Sequence, residues 1–169
     1  MKLKWNERIS MGIEKIPQMD RMEYDQLIIN EYVCRIAFKG EEHPYIAPFL
    51  YVFDGKHMYF LSTKYGKKIE FFQQDPHVSV EVDRYSRDLS DYSFVTLLGR
   101  LMEVTGDSEK KIIREKFVQL IKDKNLSKNI LKALGHSPEE PLESIVKEER
   151  SYIWQLVEVK EIIALKSGI

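Results

Sequence analysis

The chain has 169 residues, of which 43% are hydrophobic, enough to bury one full core but few for two. Its 26 basic and 27 acidic side chains leave a net charge of −1, which disfavours nucleic-acid binding through an overall basic surface. The single cysteine excludes an internal disulfide and a zinc site built from several thiolates, and no apolar run is long enough to cross a membrane. The polar start "MKLKWNERIS" lacks the apolar core of a signal sequence. We therefore expect a cytoplasmic protein whose residues 1–169 form one domain, with neither nucleic acid nor a membrane as partner.

The first part of the chain predicts one helix and three strands. Residues 20–30, "DRMEYDQLIIN", place apolar side chains at helical spacing after Asp20, which we expect to cap the helix. Apolar runs predict strands at residues 32–38, 45–53 and 57–61. Pro48 cannot donate a ladder hydrogen bond, so its strand must have an edge, a bulge or an interruption at that point. The turn "DGK" then predicts a tight type I′ hairpin.

The rest of the chain completes a mainly β fold with flanking helices. The patterns predict a short helix at 65–74, strands at 77–83 and 92–104, helices after Asp107-Ser108 and at 127–134, and closing strands at 151–159 and 162–166. Within the long strand, Gly99 indicates a bulge or the close approach of another group. About seven strands joined by short turns favour a small closed antiparallel barrel with helices packed outside it.

The sequence lacks the motifs of several common reaction centres. It contains no G-x-G-x-x-G, no phosphate-binding P-loop and no G-x-S-x-G nucleophile turn. The histidines, at positions 43, 57, 77 and 136, form no metal-binding pair, and Cys34 lies in an apolar run where it packs as a small hydrophobic residue. We therefore predict no catalytic side chain and no metal ligand.

One polar cluster remains, in the stretch "YFLSTKYGKKIEFFQQDP". Its hydroxyl groups, Ser62 and Thr63, end a strand, and its lysines, Lys64, Lys67 and Lys68, precede or begin a helix. A phosphate group is bound by short hydroxyl donors, backbone N–H groups and one or two cations that converge from a turn. A basic turn in contact with solvent would have the same composition, and the residue types alone leave both interpretations open.

The succession of motifs resembles a known family. "HPYIAPFLYVFDGKHMYFLSTKYGKKIEFFQQDPHVSVEVD", then "FVTLLGRLMEVTGD" and the closing "RSYIWQLVEVKEIIALKSG", are similar to the FMN-binding split-barrel proteins related to pyridoxamine 5′-phosphate oxidase, in particular their nitroimidazole-reductase-like branch. The likeness spans roughly residues 22–168, with a more variable helical insert at 107–135. It implies a split β-barrel and a homodimer that holds FMN in two equivalent clefts between the subunits.

The resemblance also implies which residues contact the phosphate end of the cofactor. Ser62 and Thr63 would meet the phosphate or the ribityl chain, and the pair Lys67 and Lys68 would neutralise the phosphate charge.

The remaining implied contacts concern the flavin ring. Ile46, Ala47 and Pro48 would lie along the ring, and Gln74 occupies a position that is often polar in the family. Trp154 resembles an aromatic residue that approaches the flavin from the other chain. Ile46 and Ala47 would equally suit the core of the barrel, and an aromatic residue such as Trp154 more often serves as a core residue.

The sequence departs from true pyridoxamine phosphate oxidases in one respect. Those enzymes carry arginines where this chain has "APFLYVFD" and "WQLVEVKEI", so pyridoxine phosphate is not the expected substrate. The resemblance implies an FMN-dependent oxidoreductase acting on another small molecule. A module that binds flavin or another anionic ligand without turnover is the alternative, and haem or a deazaflavin stays open as the cofactor.

Overall fold

A computed structural model of the protein describes residues 12–168 and shows a closed barrel of six strands with antiparallel neighbours. The strands are β1 (Val33–Phe38), β2 (Tyr45–Phe53), β3 (Met58–Thr63), β4 (His77–Tyr85), β5 (Tyr92–Glu103) and β6 (Ser151–Lys166). Around the barrel they follow the order β1-β2-β3-β6-β5-β4. The predicted mainly β barrel is confirmed. The division into a single domain stays a prediction, and the stretch "MKLKWNERIS" lies outside the described residues.

Five helices among residues 12–168 pack outside the barrel. They are α1 (Arg21–Asn30), α2 (Lys67–Gln74), α3 (Asp107–Asp123), α4 (Ile130–Ala133) and α5 (Ser144–Lys147). Asp20 caps α1 as predicted, in a reciprocal capping box with Glu23. The predicted cap of α3 is wrong, because Gly106 is its N-cap residue and provides no side-chain bond. No helix in the described part of the chain is both long and apolar enough to span a membrane.

Strand β2 changes its partner along its length. Residues 45–50 pair with β1, whereas residues 51–53 pair with β3. Pro48 pairs with Arg35 on β1 and has no partner on β3, so it lies at an open edge, one of the three arrangements predicted for it. The turn after β2 is not of type I′, which needs two successive residues with positive φ: Gly55 has a φ of 93°, but neither Asp54 nor Lys56 has a positive φ.

The two predicted closing strands form one continuous strand, β6. The chain bends at Glu158, which adopts a left-handed φ of 50°, and its pairing with β5 shifts register between Leu98 and Arg100. Gly99 lies at this shift, and a Cβ atom there would be 2.7 Å from the carbonyl oxygen of Val157. The close approach predicted at Gly99 is therefore present, it coincides with a register shift, and the barrel has six strands rather than seven.

Alternate residues of β3 and β6 enter two different cores. Phe60 and its cross-strand partner Trp154 fill the barrel interior. Leu61 and its partner Ile153 point outward and pack with helices α3, α4 and α5. Because side chains alternate along a strand, Ser62 belongs to the inner face and Thr63 to the outer face.

One stripe across the outer surface of the barrel contains no buried residue. It consists of successive cross-strand partners on five strands: Ile46, Ala37, Ser79, Leu98 and Glu161. We call this stripe the open row. Ile46 is 61% exposed, although it is a large apolar residue in a strand.

Candidate functional site

The most promising polar arrangement lies where β3 ends and α2 begins. Gly66, with a φ of 98°, lets the chain turn between Thr63 and the first residue of the helix. The turn brings the ammonium group of Lys68 back to the strand end, where Nζ donates to Thr63 Oγ1 at 2.7 Å and to the Tyr65 carbonyl at 3.1 Å. We call this arrangement the Thr63–Lys68 corner.

The Lys68 ammonium is partly buried, and none of residues 12–168 gives it a negatively charged partner. Its hydrogen-bond acceptors among the described residues are a hydroxyl and a carbonyl, both neutral. Burial lowers the pKa of Lys68, because removing the ammonium from water disfavours its charged form. A bound anion would offset this loss of hydration.

A small cavity of about 230 Å³ opens beside the corner. Thr63 and Lys68 line one side, and Ala47 and Pro48 line another at the open edge of β2. Helix α4 contributes a third side that includes Lys132. Of the described residues that line this cavity, none is a carboxylate or a histidine, so its electrostatic character is positive.

The structure brings together only some of the predicted cofactor contacts. Thr63, Lys68, Ala47 and Pro48 share the cavity. Lys67 and Gln74 instead line a separate cavity of about 410 Å³, between α2 and the β1–β2 loop. The predicted lysine pair is thus divided, because consecutive helical residues point about 100° apart.

Ser62 lies away from the cavity. Its side chain is buried on the inner face of β3, and its hydroxyl donates to the carbonyl of Thr63 at 2.9 Å. The two neighbouring hydroxyls cannot meet one phosphate from the same side of the strand, since Thr63 points outward.

Trp154 lies inside the barrel with no exposed surface. Its indole packs against Phe38, Phe49 and Phe72, the last with ring centroids 4.7 Å apart. The indole Nε1 has no hydrogen-bond acceptor among the described residues. In this arrangement Trp154 serves as a core aromatic, one of the two roles considered for it, and it touches neither cavity.

Two basic residues near the corner were not predicted. Lys132 lies on the helical insert, far from Lys68 in sequence, and no local pattern connects the two. Arg114 is only 2% exposed on α3. A signal for Arg114 did exist, because it falls beside Ile113 and Phe117 on the apolar side of the helix, where a charge is unusual.

Another polar cluster, formed by His136, Glu140 and Glu148, has the composition of a metal site. Ligand atoms of these residues lie within 4.8 Å of one another. However, the guanidinium of Arg150 bonds both carboxylates and already supplies a positive charge there. The contacts within this cluster therefore make it an ion-pair network.

Comparison with known proteins agrees with the fold. The family described as pyridoxamine 5′-phosphate oxidase matches residues 20–148. A curated relative, the uncharacterized protein RA0666 of Rhizobium meliloti (strain 1021), is 27% identical over 86 residues, which are 51% of this chain and 56% of that protein. The chain thus spans just over half the length of this relative.

Three solved structures illustrate the structural similarity. A FAD-binding protein from Mesorhizobium loti has a TM-score of 0.68 at 19% identity, over 92% of this chain and 100% of that one. The haem storage protein HutZ from Vibrio cholerae has a TM-score of 0.63 at 10% identity, over 86% and 94% of the two chains. A Bacteroides thetaiotaomicron protein, described provisionally as a 5-nitroimidazole antibiotic resistance protein, has a TM-score of 0.56 at 14% identity, over 92% and 93%.

These structural similarities establish a shared fold. The match to the family, over residues 20–148, covers most of the chain. The split-barrel fold expected from the motifs is confirmed, and the protein belongs to the pyridoxamine 5′-phosphate oxidase family.

Proposed function

We propose that the protein binds FMN, with the phosphate of the cofactor at the Thr63–Lys68 corner, and acts as an oxidoreductase on a small molecule. The observation that carries this proposal is the Lys68 ammonium, which is partly buried, has neutral acceptors and is fixed on the Thr63 hydroxyl. Family membership supports a flavin, and the relative from Mesorhizobium loti is described as FAD-binding.

The side chains at the corner suit a phosphate group. Lys68 supplies a cation with one spare hydrogen, since an ammonium has three and two are engaged. Thr63 accepts from Lys68 and keeps its own hydroxyl hydrogen for a phosphate oxygen. Lys132 adds a second cation at the cavity wall. A cation and a hydroxyl that converge without a carboxylate make a typical phosphate site.

The cavity in one chain is too small for the whole cofactor. Its volume of about 230 Å³ is below the range of roughly 300–1,000 Å³ that is usual for sites of drug-sized ligands. The flavin ring must therefore extend beyond the corner. We propose that it lies along the outer edge of β2, where Pro48 and Ile46 are exposed.

This placement favours a homodimer with the ring between two subunits. The open row continues from Ile46 across the barrel and combines apolar with polar residues, as protein interfaces do. A second copy that covers this row would also cover the exposed edge of β2. We expect a solution mass of two 20.0 kDa chains and one FMN per chain. A monomer that binds FMN at full stoichiometry would contradict the interfacial site.

In the proposed reaction, bound FMN would supply the electron-transfer chemistry. The chain would hold the phosphate, orient the ring and exclude water from one side of it. The cavity residues include no carboxylate or histidine that could act as an acid or base. The second candidate is a flavin-binding module without turnover, which the same Thr63–Lys68 corner would equally serve. Anaerobic reduction of the FMN-loaded protein by NADH or NADPH, followed by reoxidation with small acceptors, distinguishes the two.

Cofactor binding is tested with the purified protein, FMN, FAD and riboflavin. We expect flavin absorption bands to remain after desalting when FMN is added. We also expect FMN to bind at least about tenfold more tightly than riboflavin, because riboflavin lacks the phosphate that a charged hydrogen bond would hold. Equal affinity for FMN and riboflavin would show that the Thr63–Lys68 corner does not bind the phosphate. Failure to retain any flavin would refute the proposed function.

A further inference from the structure

A second cation, only 2% exposed, contacts the cross-strand partner of Thr63. Arg114 on α3 donates from Nη1 to Ser151 Oγ at 2.9 Å and to the Ile145 carbonyl at 3.3 Å, and from Nη2 to the Ser151 carbonyl at 2.7 Å. All three acceptors are neutral, and Nε has no acceptor among the described residues. Burial lowers the pKa of Arg114, with a smaller opposing effect from Glu149.

Glu149 does not neutralise this guanidinium by direct contact. Its carboxylate bonds Lys110 Nζ at 2.6 Å, and Arg114 forms no ion pair within 4.0 Å in the described part of the chain. A buried charge without a paired opposite charge is costly, so such groups are usually explained by a ligand or a special role.

The guanidinium is linked to the corner through one pair of residues. Ser151 begins β6 and lies directly opposite Thr63 on β3. Directly opposed residues point to the same face of a sheet, with Cβ atoms about 4.5–5.5 Å apart. The Ser151 hydroxyl that accepts from Arg114 therefore neighbours the Thr63 hydroxyl that accepts from Lys68. By these links the two cations flank two adjacent hydroxyls, with the guanidinium within roughly 10 Å of Thr63 Oγ1.

We propose that Arg114 is a positioning residue of the phosphate site: it fixes the Ser151–Thr63 pair and places a further positive charge near the corner. The site consequently selects a phosphorylated flavin over the unphosphorylated one. This inference rests on the proposed function, because it assigns Arg114 to the same phosphate. It adds the helical insert, through α3, to the elements that determine which ligand is bound.

A purely structural role for Arg114 predicts a different result. If the three hydrogen bonds only anchored the start of β6, their loss would destabilise the whole site. The binding of FMN and the binding of riboflavin would then weaken by the same factor. Loss of a charge that acts on the phosphate instead weakens the binding of FMN alone. The ratio of the two dissociation constants therefore separates the two roles.

The test compares Arg114→Gln and Arg114→Lys with the exposed control Lys116→Met on the same helix. Dissociation constants for FMN and riboflavin are measured by quenching of flavin fluorescence, and folding is checked by thermal unfolding. The phosphate would lie one hydrogen bond beyond Thr63 Oγ1, so a charge about 12 Å away at an effective dielectric constant of about 20 contributes roughly a tenfold preference. We expect Arg114→Gln to raise the dissociation constant of FMN about tenfold and that of riboflavin less than about twofold. Arg114→Lys should keep most of the preference, and Lys116→Met should keep all of it.

Each outcome supports or overturns the inference. If the wild-type protein prefers FMN and Arg114→Gln has the same preference, or weakens both ligands equally, the role of Arg114 is refuted and the corner stands. If the wild type itself does not prefer FMN, the proposed phosphate site fails and this inference fails with it. Where Arg114→Gln does not fold, Ser151→Ala tests the same link. A selective loss of FMN affinity supports the role, and an unselective or absent change refutes it.

Discussion

Replacing Lys68 with methionine removes the ammonium group that bonds the Thr63 hydroxyl and leaves a side chain of similar length. The corner would lose its cation and the charged hydrogen bond to the phosphate, and no neighbouring carboxylate would be left unpaired. Hydrogen bonds to charged groups contribute about 1.5–3 kcal/mol. The dissociation constant for FMN should therefore rise by about 10- to 150-fold.

Lys67 provides a matched control one residue away. It is exposed and lines the other cavity, where water and salt screen its charge. Exposed charges contribute about 0–1 kcal/mol, so Lys67→Met should weaken FMN less than about fivefold. Both variants remove one positive charge from the same helix, so any effect of overall charge or of helix stability is shared between them.

The assay is titration of the apo protein with FMN and with riboflavin, followed by flavin fluorescence, with the thermal midpoint as a folding check. We expect Lys68→Met to lose much of its affinity for FMN and to keep its affinity for riboflavin. If Lys67→Met lost as much affinity for FMN as Lys68→Met, or more, the phosphate would be bound on the other side of α2. The assignment of the Thr63–Lys68 corner would then be wrong.

Two further pairs of variants test the strand geometry. Thr63→Val should weaken FMN about three- to tenfold through loss of one hydroxyl, whereas Ser62→Ala should weaken it less than about twofold; a larger effect of Ser62→Ala would contradict the outward placement of the site. Gly99→Ala should lower the free energy of unfolding by about 1–3 kcal/mol, because its Cβ would meet a backbone carbonyl of β6 at 2.7 Å. Gly168→Ala, whose Cβ would have its nearest neighbour at 3.8 Å, should leave the free energy of unfolding nearly unchanged. Both variants are measured by urea denaturation, and equal stability of the two would refute the close approach at Gly99.

The fold was predictable because local patterns and the family motifs agree. Asp20 and Glu23 form the reciprocal cap that their spacing favours. Pro48 and Gly99 each mark a position where a regular sheet cannot continue, and the structure has an open edge at one and a register shift at the other. The closing strand was divided wrongly, because the polar residues around Glu158 resemble a turn although the strand only bends there.

The faces of the site residues were harder to predict for a physical reason. All six residues of β3 are buried, so the strand lacks the alternation of polar and apolar residues that reveals which side faces a core. The two hydroxyls at its end therefore look equivalent in the sequence. Only the packing of α3, α4 and α5 against one side of β3 shows that Thr63 faces the cavity and Ser62 does not.

The lysine pair could have been separated from sequence reasoning alone. Adjacent residues at the start of a helix point about 100° apart, so Lys67 and Lys68 cannot both face one small site. Which of them faces the strand end depends on where the helix begins, and Gly66 determines that point. The contributions of Lys132 and Arg114 come from distant parts of the chain and depend on tertiary packing.

The net charge of −1 conceals how positive charge is distributed in this protein. Arg35, Arg100 and Arg150 pair with carboxylates at the surface, and these contacts raise their pKa values. For Lys68 and Arg114, by contrast, burial lowers the pKa because it removes the cation from water, and their hydrogen-bond acceptors are neutral groups. A paired surface cation is already neutralised and has little left to offer a ligand, whereas a desolvated cation with neutral partners gains most from a bound anion. That these two cations flank the same pair of hydroxyls is therefore a stronger indication of a phosphate site than any count of basic residues.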